Sequence, residues 1–266
     1  MLICPVCGQA LQRTERTLRC ENNHSFDMAK EGYVNLLRSN KNGDLIGDDK
    51  QSARSRRDFL NKGYYAPLKD ELCHIFADKQ GAVLDICCGE GYYTAALGEN
   101  PQLQVYGFDI AREMVRLAAK RGNGTYFVAN MASIPVADAA MDNCIHLFAP
   151  FNEAAFCRVL KPGGRLYTVV PGRFHLWGLK QALYETPYEN DEKLPKTQIL
   201  RFVGSHKVMK NITLASQEDI LAVFRMTPYY FHTAEMDKQK LLNLQSLQTP
   251  VEFVIAEYEK PLGVNP

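Results

Sequence analysis

Between about positions 81 and 172 the chain repeats short apolar runs separated by stretches of mixed polarity. Ala82-Val83-Leu84 stops at Asp85, Val105 to Phe108 stops at Asp109, and Tyr126-Phe127-Val128-Ala129 stops at Asn130-Met131-Ala132. Asn143 to Phe148 is a fourth run; Leu166 to Val170 is a fifth, entered through the turn Lys161-Pro162-Gly163-Gly164-Arg165. Near-continuous apolar strands separated by helical crossovers predict a parallel sheet covered on both faces. Upstream, Ser52 to Ala77 has a helical pattern that breaks near Gly63 and Pro67. Downstream, the pattern predicts a helix over Phe174 to Tyr184, an acidic loop from Pro187 to Pro195 and a strand over Val203 to Leu214. Ser216-Gln217-Glu218-Asp219 reads as the cap of a helix from Ile220 to Met226, and Val251 to Tyr258 as a closing strand. The expected fold class is α/β: a doubly wound, mostly parallel, seven-stranded sheet.

The first strand runs into Gly89-Glu90-Gly91, and the second ends on Asp109 about twenty residues past that turn. Glycines there allow the backbone to approach a ligand, and an acid at the end of the second strand can accept hydrogen bonds from both ribose hydroxyls. A dinucleotide fingerprint requires a third glycine where this chain has Thr94, and no Gly-Lys-Ser/Thr follows, so a phosphate-binding loop is excluded. Asp85, just before the turn, favours a cationic cofactor tail. S-adenosylmethionine, with its amino group, sulfonium and free ribose diol, fits that pattern.

Ahead of this domain, Cys4-x-x-Cys7 and Cys20-x-x-x-His24 supply four ligands within about twenty residues. A segment this short cannot build its own core, so a metal would supply the folding energy. Four ligands leave no open position, which makes the expected zinc structural. The expected organisation is a small zinc ribbon or knuckle over residues 1–37, a polar, glycine-rich linker over 38–52, and the α/β domain over 53–266. The remaining cysteines show no ligand spacing and read as free thiols.

Charge narrows the partners. With 31 basic and 30 acidic residues the net charge is +1, so no global field draws the chain to nucleic acid. Any RNA contact must come from local groups: Arg13, Arg16 and Arg19; Arg54, Arg56 and Arg57; or Arg112, Arg116, Lys120 and Arg121. The sequence contains no amino-terminal apolar run and no spanning segment, so no membrane is expected. Thiols in ligand spacing point to a reducing, cytoplasmic location.

From Asp85 to Tyr93 the chain resembles the first motif of class I (Rossmann-like) methyltransferases, except that Cys87 stands at the first glycine. That resemblance implies adenine contacts from the segment around Asn130 and Met131. A more specific one follows. His24 to Leu37, Arg57-Asp58-Phe59-Leu60, Gly63-Tyr64-Tyr65, Cys88-Gly89-Glu90-Gly91-Tyr92-Tyr93 and Met226-Thr227-Pro228 resemble RlmA-type 23S rRNA (guanine-N1) methyltransferases. The resemblance implies methylation of guanine N1 in a hairpin loop of 23S rRNA. It also implies a homodimer, and cofactor contacts from Tyr65, Gly91, Tyr92, Asp109 and His175. With Asp85, Gly89, Glu90, Asn130 and Met131, these make up the expected cofactor site.

Guanine N1 carries a proton, so a general base is expected near the end of the fourth strand. His146 is the candidate base, and Phe148 and Phe151 are candidates for stacking on a flipped guanine. Two other readings share part of the signal. A small-molecule methyltransferase would carry the same cofactor motifs but would not need the zinc module. A non-catalytic zinc-ribbon RNA-binding adaptor would not need Asp85, Gly89, Gly91 and Asp109 intact.

Overall fold

The computed structural model describes residues 1–37 and 50–263. The expected linker falls almost entirely on residues 38–49, outside the described residues. The amino-terminal module is a three-stranded antiparallel sheet: β1 (Gln12–Thr14), β2 (Thr17–Arg19) and β3 (Ser25–Asp27). Next come β4 (Val34–Asn35), α1 (Lys50–Asn61) and α2 (Ala66–Ile75). Gly63, at φ +79°, separates the two helices, and Pro67 lies in the first turn of α2, where its missing N–H costs nothing.

The core runs β5 (Gly81–Ile86), α3 (Tyr92–Leu97), β6 (Leu103–Asp109), α4 (Arg112–Arg121), β7 (Thr125–Val128), β8 (Met141–Leu147), α5 (Glu153–Val159) and β9 (Leu160–Pro171), with only a 3-10 turn (Met131–Ser133) between β7 and β8. The last segment is α6 (Trp177–Leu183), β10 (Arg201–Leu214), α7 (Gln217–Arg225), α8 (Tyr229–His232), α9 (Glu235–Leu241) and β11 (Leu247–Glu259). Ser216 caps α7 as predicted, its hydroxyl accepting from the Asp219 N–H at 3.2 Å.

The main sheet has the order β10-β11-β9-β8-β5-β6-β7-β4. Strands from β9 to β4 pair in parallel, whereas β11 runs antiparallel to both β9 and β10. Seven of these strands were expected; the eighth, β4, comes from the amino-terminal module and extends the sheet beyond β7. Alternation along each strand divides the core. Val83, Val105 and Ile145 face α2, α3, α6 and α7, while Leu84, Ile86 and Cys144 face α5 and the amino-terminal module. That module is also pinned by Ile3 N–H donating to Pro135 O at 3.0 Å and Leu36 N–H donating to Val128 O at 2.9 Å. Among the described residues no helix is long and apolar enough to cross a membrane.

Candidate functional site

The carboxyl ends of β5, β6 and β8 open onto two adjoining cavities. The smaller, about 310 Å³, is bordered by Asp85, the 87–90 turn, Tyr92, Tyr93, Asp109 and Met114. The larger, about 780 Å³, is bordered by Tyr65, His146, Phe151, His175, Thr227 and the 190–196 loop. Arg56, Phe148 and Ala149 border both.

Asp109 organises the smaller cavity. Its two carboxylate oxygens accept from Gly89 N–H at 3.0 Å and Ala111 N–H at 2.9 Å, tying the glycine turn to the start of α4. Asp85 is buried at the end of β5 and accepts from the Thr94 hydroxyl at 2.5 Å. Burial lifts its pKa to about 7, with the Thr94 hydrogen bond opposing and the Asp109 charge adding. Thr94, which replaces the third glycine of a dinucleotide motif, is thus the support of the acid.

The residues of the turn do different work. Gly89 has φ +55°, and a Cβ there would meet nothing within 4 Å, so its face is open toward the cavity. Gly91, expected at the cofactor, has φ +80°, but its missing side chain makes room for α4: a Cβ would lie 2.7 Å from Ala118 Cβ. Cys87 adopts φ +60°, the left-handed conformation that a glycine would take without strain. Burial pushes its thiol up to about 12, so it remains a thiol. Glu90 was also expected at the cofactor. It borders the smaller cavity, and its carboxylate is held by Arg121 through contacts of 2.6 and 2.9 Å, which lock the turn to α4.

Three further expectations shift. Asn130 is exposed, and its side-chain oxygen accepts from Ala132 N–H at 2.9 Å; neither it nor Met131 borders the smaller cavity. Ile110 and Met114, which follow Asp109, border it instead. Tyr65 and His175, expected at the cofactor, lie on the wall of the larger cavity, joined by a 3.2 Å hydrogen bond. His146 is not available as a base. Its Nε2–H donates to Pro150 O at 3.0 Å, its Nδ1 accepts from the Thr168 hydroxyl at 2.9 Å, and burial lowers its pKa. It anchors the 148–151 loop. Phe148 sits at φ +55° where the cavities meet, and Phe151 lies on the larger cavity's wall, edge-on to His146.

Sequence reasoning missed Arg56, Tyr93, Ile110 and Met114. Arg56 stood out only as part of a basic run, and the signal for Ile110 and Met114 was their i, i+4 spacing just beyond the acid of β6. Tyr93 carries the test of fit. Its side chain is buried, its hydroxyl has no hydrogen-bond partner among the described residues, and it borders the smaller cavity. A buried orphan hydroxyl, an open glycine and two acids match a polar, diol-bearing cation.

The zinc donors converge as their spacing implied. Cys4 Sγ and His24 Nδ1 are 3.5 Å apart, Cys7 and Cys20 Sγ 3.6 Å, and Cys20 Sγ and His24 Nδ1 3.4 Å. All four ligand atoms lie within 4.8 Å of one another. A tetrahedral zinc site with bonds of about 2.1 and 2.3 Å sets its donors roughly 3.6–3.8 Å apart, so the cluster fits. The Gln9 backbone N–H helps draw the Cys7 thiol down to about 6.

Residues 2–42 match the family of zinc ribbons described as RlmA, N-terminal, and residues 83–164 match the methyltransferase domain family. The YcgJ protein of Bacillus subtilis shares the fold, with a TM-score of 0.50 and 16% identity over 75% of this chain and 100% of that one. Fold and site together define a class I S-adenosylmethionine-dependent methyltransferase bearing a zinc ribbon. The 23S rRNA (guanine(748)-N(1))-methyltransferase of Streptomyces fradiae is 37% identical over 190 residues, 68% of this chain and 67% of the relative. A Micromonospora griseorubida protein named for 23S rRNA guanine-N1 methylation is 30% identical over 262 residues, 87% of each chain, and the chain belongs to this 23S rRNA (guanine-N1) methyltransferase family.

Proposed function

We propose that the chain methylates N1 of a guanine in a hairpin loop of 23S rRNA, the smaller cavity holding the methyl donor and the larger one the flipped base. The observation that carries this reading is the junction of the two cavities at Arg56, Phe148 and Ala149. A donor and an acceptor placed on either side of that junction meet in line, and alignment of this kind contributes several kcal/mol.

Each residue then has a task. Asp109 holds the Gly89 turn and accepts from the ribose diol. Asp85 faces the cationic tail, Gly89 leaves the backbone open, and Tyr92, Tyr93, Ile110 and Met114 wall the site. S-adenosylmethionine, when bound, supplies an electrophilic methyl group on a sulfonium. Phe148, exposed and in a strained conformation, is placed to stack on the incoming base. Cys4, Cys7, Cys20 and His24 would hold a structural zinc that folds the module. Residues 1–37, with exposed Arg13, Arg16 and Arg19, serve as the RNA-recognition module, and residues 53–266 as the methyltransferase domain. The family resemblance adds a homodimer. Thiols in ligand spacing support a cytoplasmic location.

The test is transfer of labelled methyl from S-adenosylmethionine to 23S rRNA from a strain lacking the modification. A single primer-extension stop at one guanine is expected, because N1 methylation blocks Watson–Crick pairing. Label entering a metabolite extract and not rRNA would favour a small-molecule methyltransferase. Absence of any cofactor binding would favour the adaptor.

A further inference from the structure

α1 is apolar on one side and basic on the other. Ala53, Phe59 and Leu60 are buried, whereas Arg54 is exposed and Arg56 and Arg57 are half-buried. Ala53 packs against Ala111, Met114 and Leu117 at α4, and the Phe59 ring meets those of Tyr64 and Tyr65 at 5.0 and 5.3 Å. Arg56 and Leu60 border the smaller cavity, so the helix forms part of its wall. The cations on the neighbouring helix are already committed. Arg112 donates to the Tyr33 hydroxyl at 3.0 Å, Arg116 pairs with Glu113 at 2.9 Å and Glu31 at 3.9 Å, and Arg121 is shared between Glu90 and Asn61. On α1, by contrast, neither Arg54 nor Arg57 forms an ion pair or a side-chain hydrogen bond among the described residues. Asp58 is the one acid in the helix. Burial raises the Glu90 pKa and the charges of Arg121, Arg57 and Arg56 oppose the rise, which sets Arg57 beside the glycine turn. Arg54 and Arg57 are one helical turn apart, with Cβ atoms about 5–6 Å from each other, so both can reach the same strand of a ligand.

We propose that Arg54 and Arg57 form a phosphate-binding site for the RNA strand, gripping the backbone beside the target guanosine while its base turns inward. This rests on the rRNA reading above. A base leaves its stack at a cost of a few kcal/mol, and contacts to the backbone are what offset that cost. Guanidinium groups suit the task, because they stay charged and present two parallel N–H donors to a phosphate. A chain of net charge +1 has no global field to hold RNA, so the attraction has to be local. α1 supplies it at the right place: Arg56, between the two arginines of the site, borders both cavities. Phosphate contacts carry no base information, so the site sets the register of the strand and leaves the choice of base to the cavities.

The test is the double variant Arg54→Gln, Arg57→Gln in the full-length, zinc-loaded protein, with kcat and KM for unmethylated 23S rRNA measured between about 50 and 200 mM salt. S-adenosylhomocysteine affinity by calorimetry should stay within about twofold, which also shows that the variant is folded. At the lowest salt KM should rise at least about tenfold, with kcat within about twofold. The plot of log kcat/KM against log salt should become shallower by about 1.4, about 0.7 for each single-strand phosphate released, so the deficit narrows about sevenfold across the range. Arg54→Lys with Arg57→Lys keeps both charges and should keep the wild-type slope. If the double glutamine variant does not fold, each single variant is read instead and should give about half the change in slope. An unchanged KM, a deficit equal at every salt concentration, or a tenfold loss of S-adenosylhomocysteine affinity in a folded variant overturns the proposal, the last by assigning the arginines to the cofactor. A wild-type protein that transfers no methyl to guanine N1 overturns the reading beneath it.

Discussion

Gly91→Ala and Gly89→Ala place the same methyl group two residues apart and should damage different properties. At position 91 the new Cβ would lie 2.7 Å from Ala118 Cβ and 2.9 Å from its Cα, so α3 and α4 must separate. Overpacking of this kind costs about 1–3 kcal/mol. The left-handed backbone, at φ +80°, adds about 1–2 kcal/mol for a residue with a side chain. The expected loss of stability is about 2–5 kcal/mol. At position 89, with φ +55°, only the second cost applies, because a Cβ there meets nothing within 4 Å. That methyl group projects into the smaller cavity instead. Urea unfolding followed by circular dichroism reads stability, and calorimetry with S-adenosylhomocysteine reads affinity. Gly91→Ala should lose the more stability, and Gly89→Ala the more affinity relative to its stability loss. The reasoning is refuted if Gly91→Ala unfolds at the same urea concentration as wild type while losing affinity.

Asp85→Asn should make the protein without cofactor more stable at alkaline pH. The native carboxyl, held at about 7 by burial, keeps its proton in a range where the unfolded chain has lost it. Stability therefore falls as pH rises from about 4 to 7 and stays reduced above, by about 4 kcal/mol at most. The asparagine variant escapes that loss while weakening cofactor binding, and urea midpoints for the two proteins that coincide at pH 8 would contradict the burial argument. Cys4→Ala should abolish stoichiometric zinc by elemental analysis and weaken rRNA binding, while S-adenosylhomocysteine affinity stays within about twofold. Loss of cofactor binding with rRNA affinity kept would reverse the division of labour between the two regions.

Much of this architecture was legible along the chain. Strands are marked by apolar runs, and the acids at their ends locate the sheet edge where ligands collect. Cys4, Cys7, Cys20 and His24 declared themselves because two short ligand pairs need only local turns to converge. Other features had no local signature. β4 is two residues long and has no period to read. α5 went unpredicted, its buried Phe156, Cys157 and Val159 forming too brief a pattern. Asn130 has the right chemistry for an adenine amino group, yet its oxygen is used by the backbone two residues on.

The sequence by itself determined the succession of the seven expected strands, the four residues whose ligand atoms cluster as a zinc site requires, and the presence of a glycine turn between two acids. Each follows from spacing or periodicity over a few residues, where chain geometry leaves few choices. Only the tertiary structure decided that Gly91 serves the packing of α4, that Glu90 belongs to Arg121, that His146 has no nitrogen to spare, and that Tyr65 meets His175 on the larger cavity. A side chain's task depends on which atoms surround it, and those atoms come from segments brought together by burial of the apolar faces, not by their proximity along the chain.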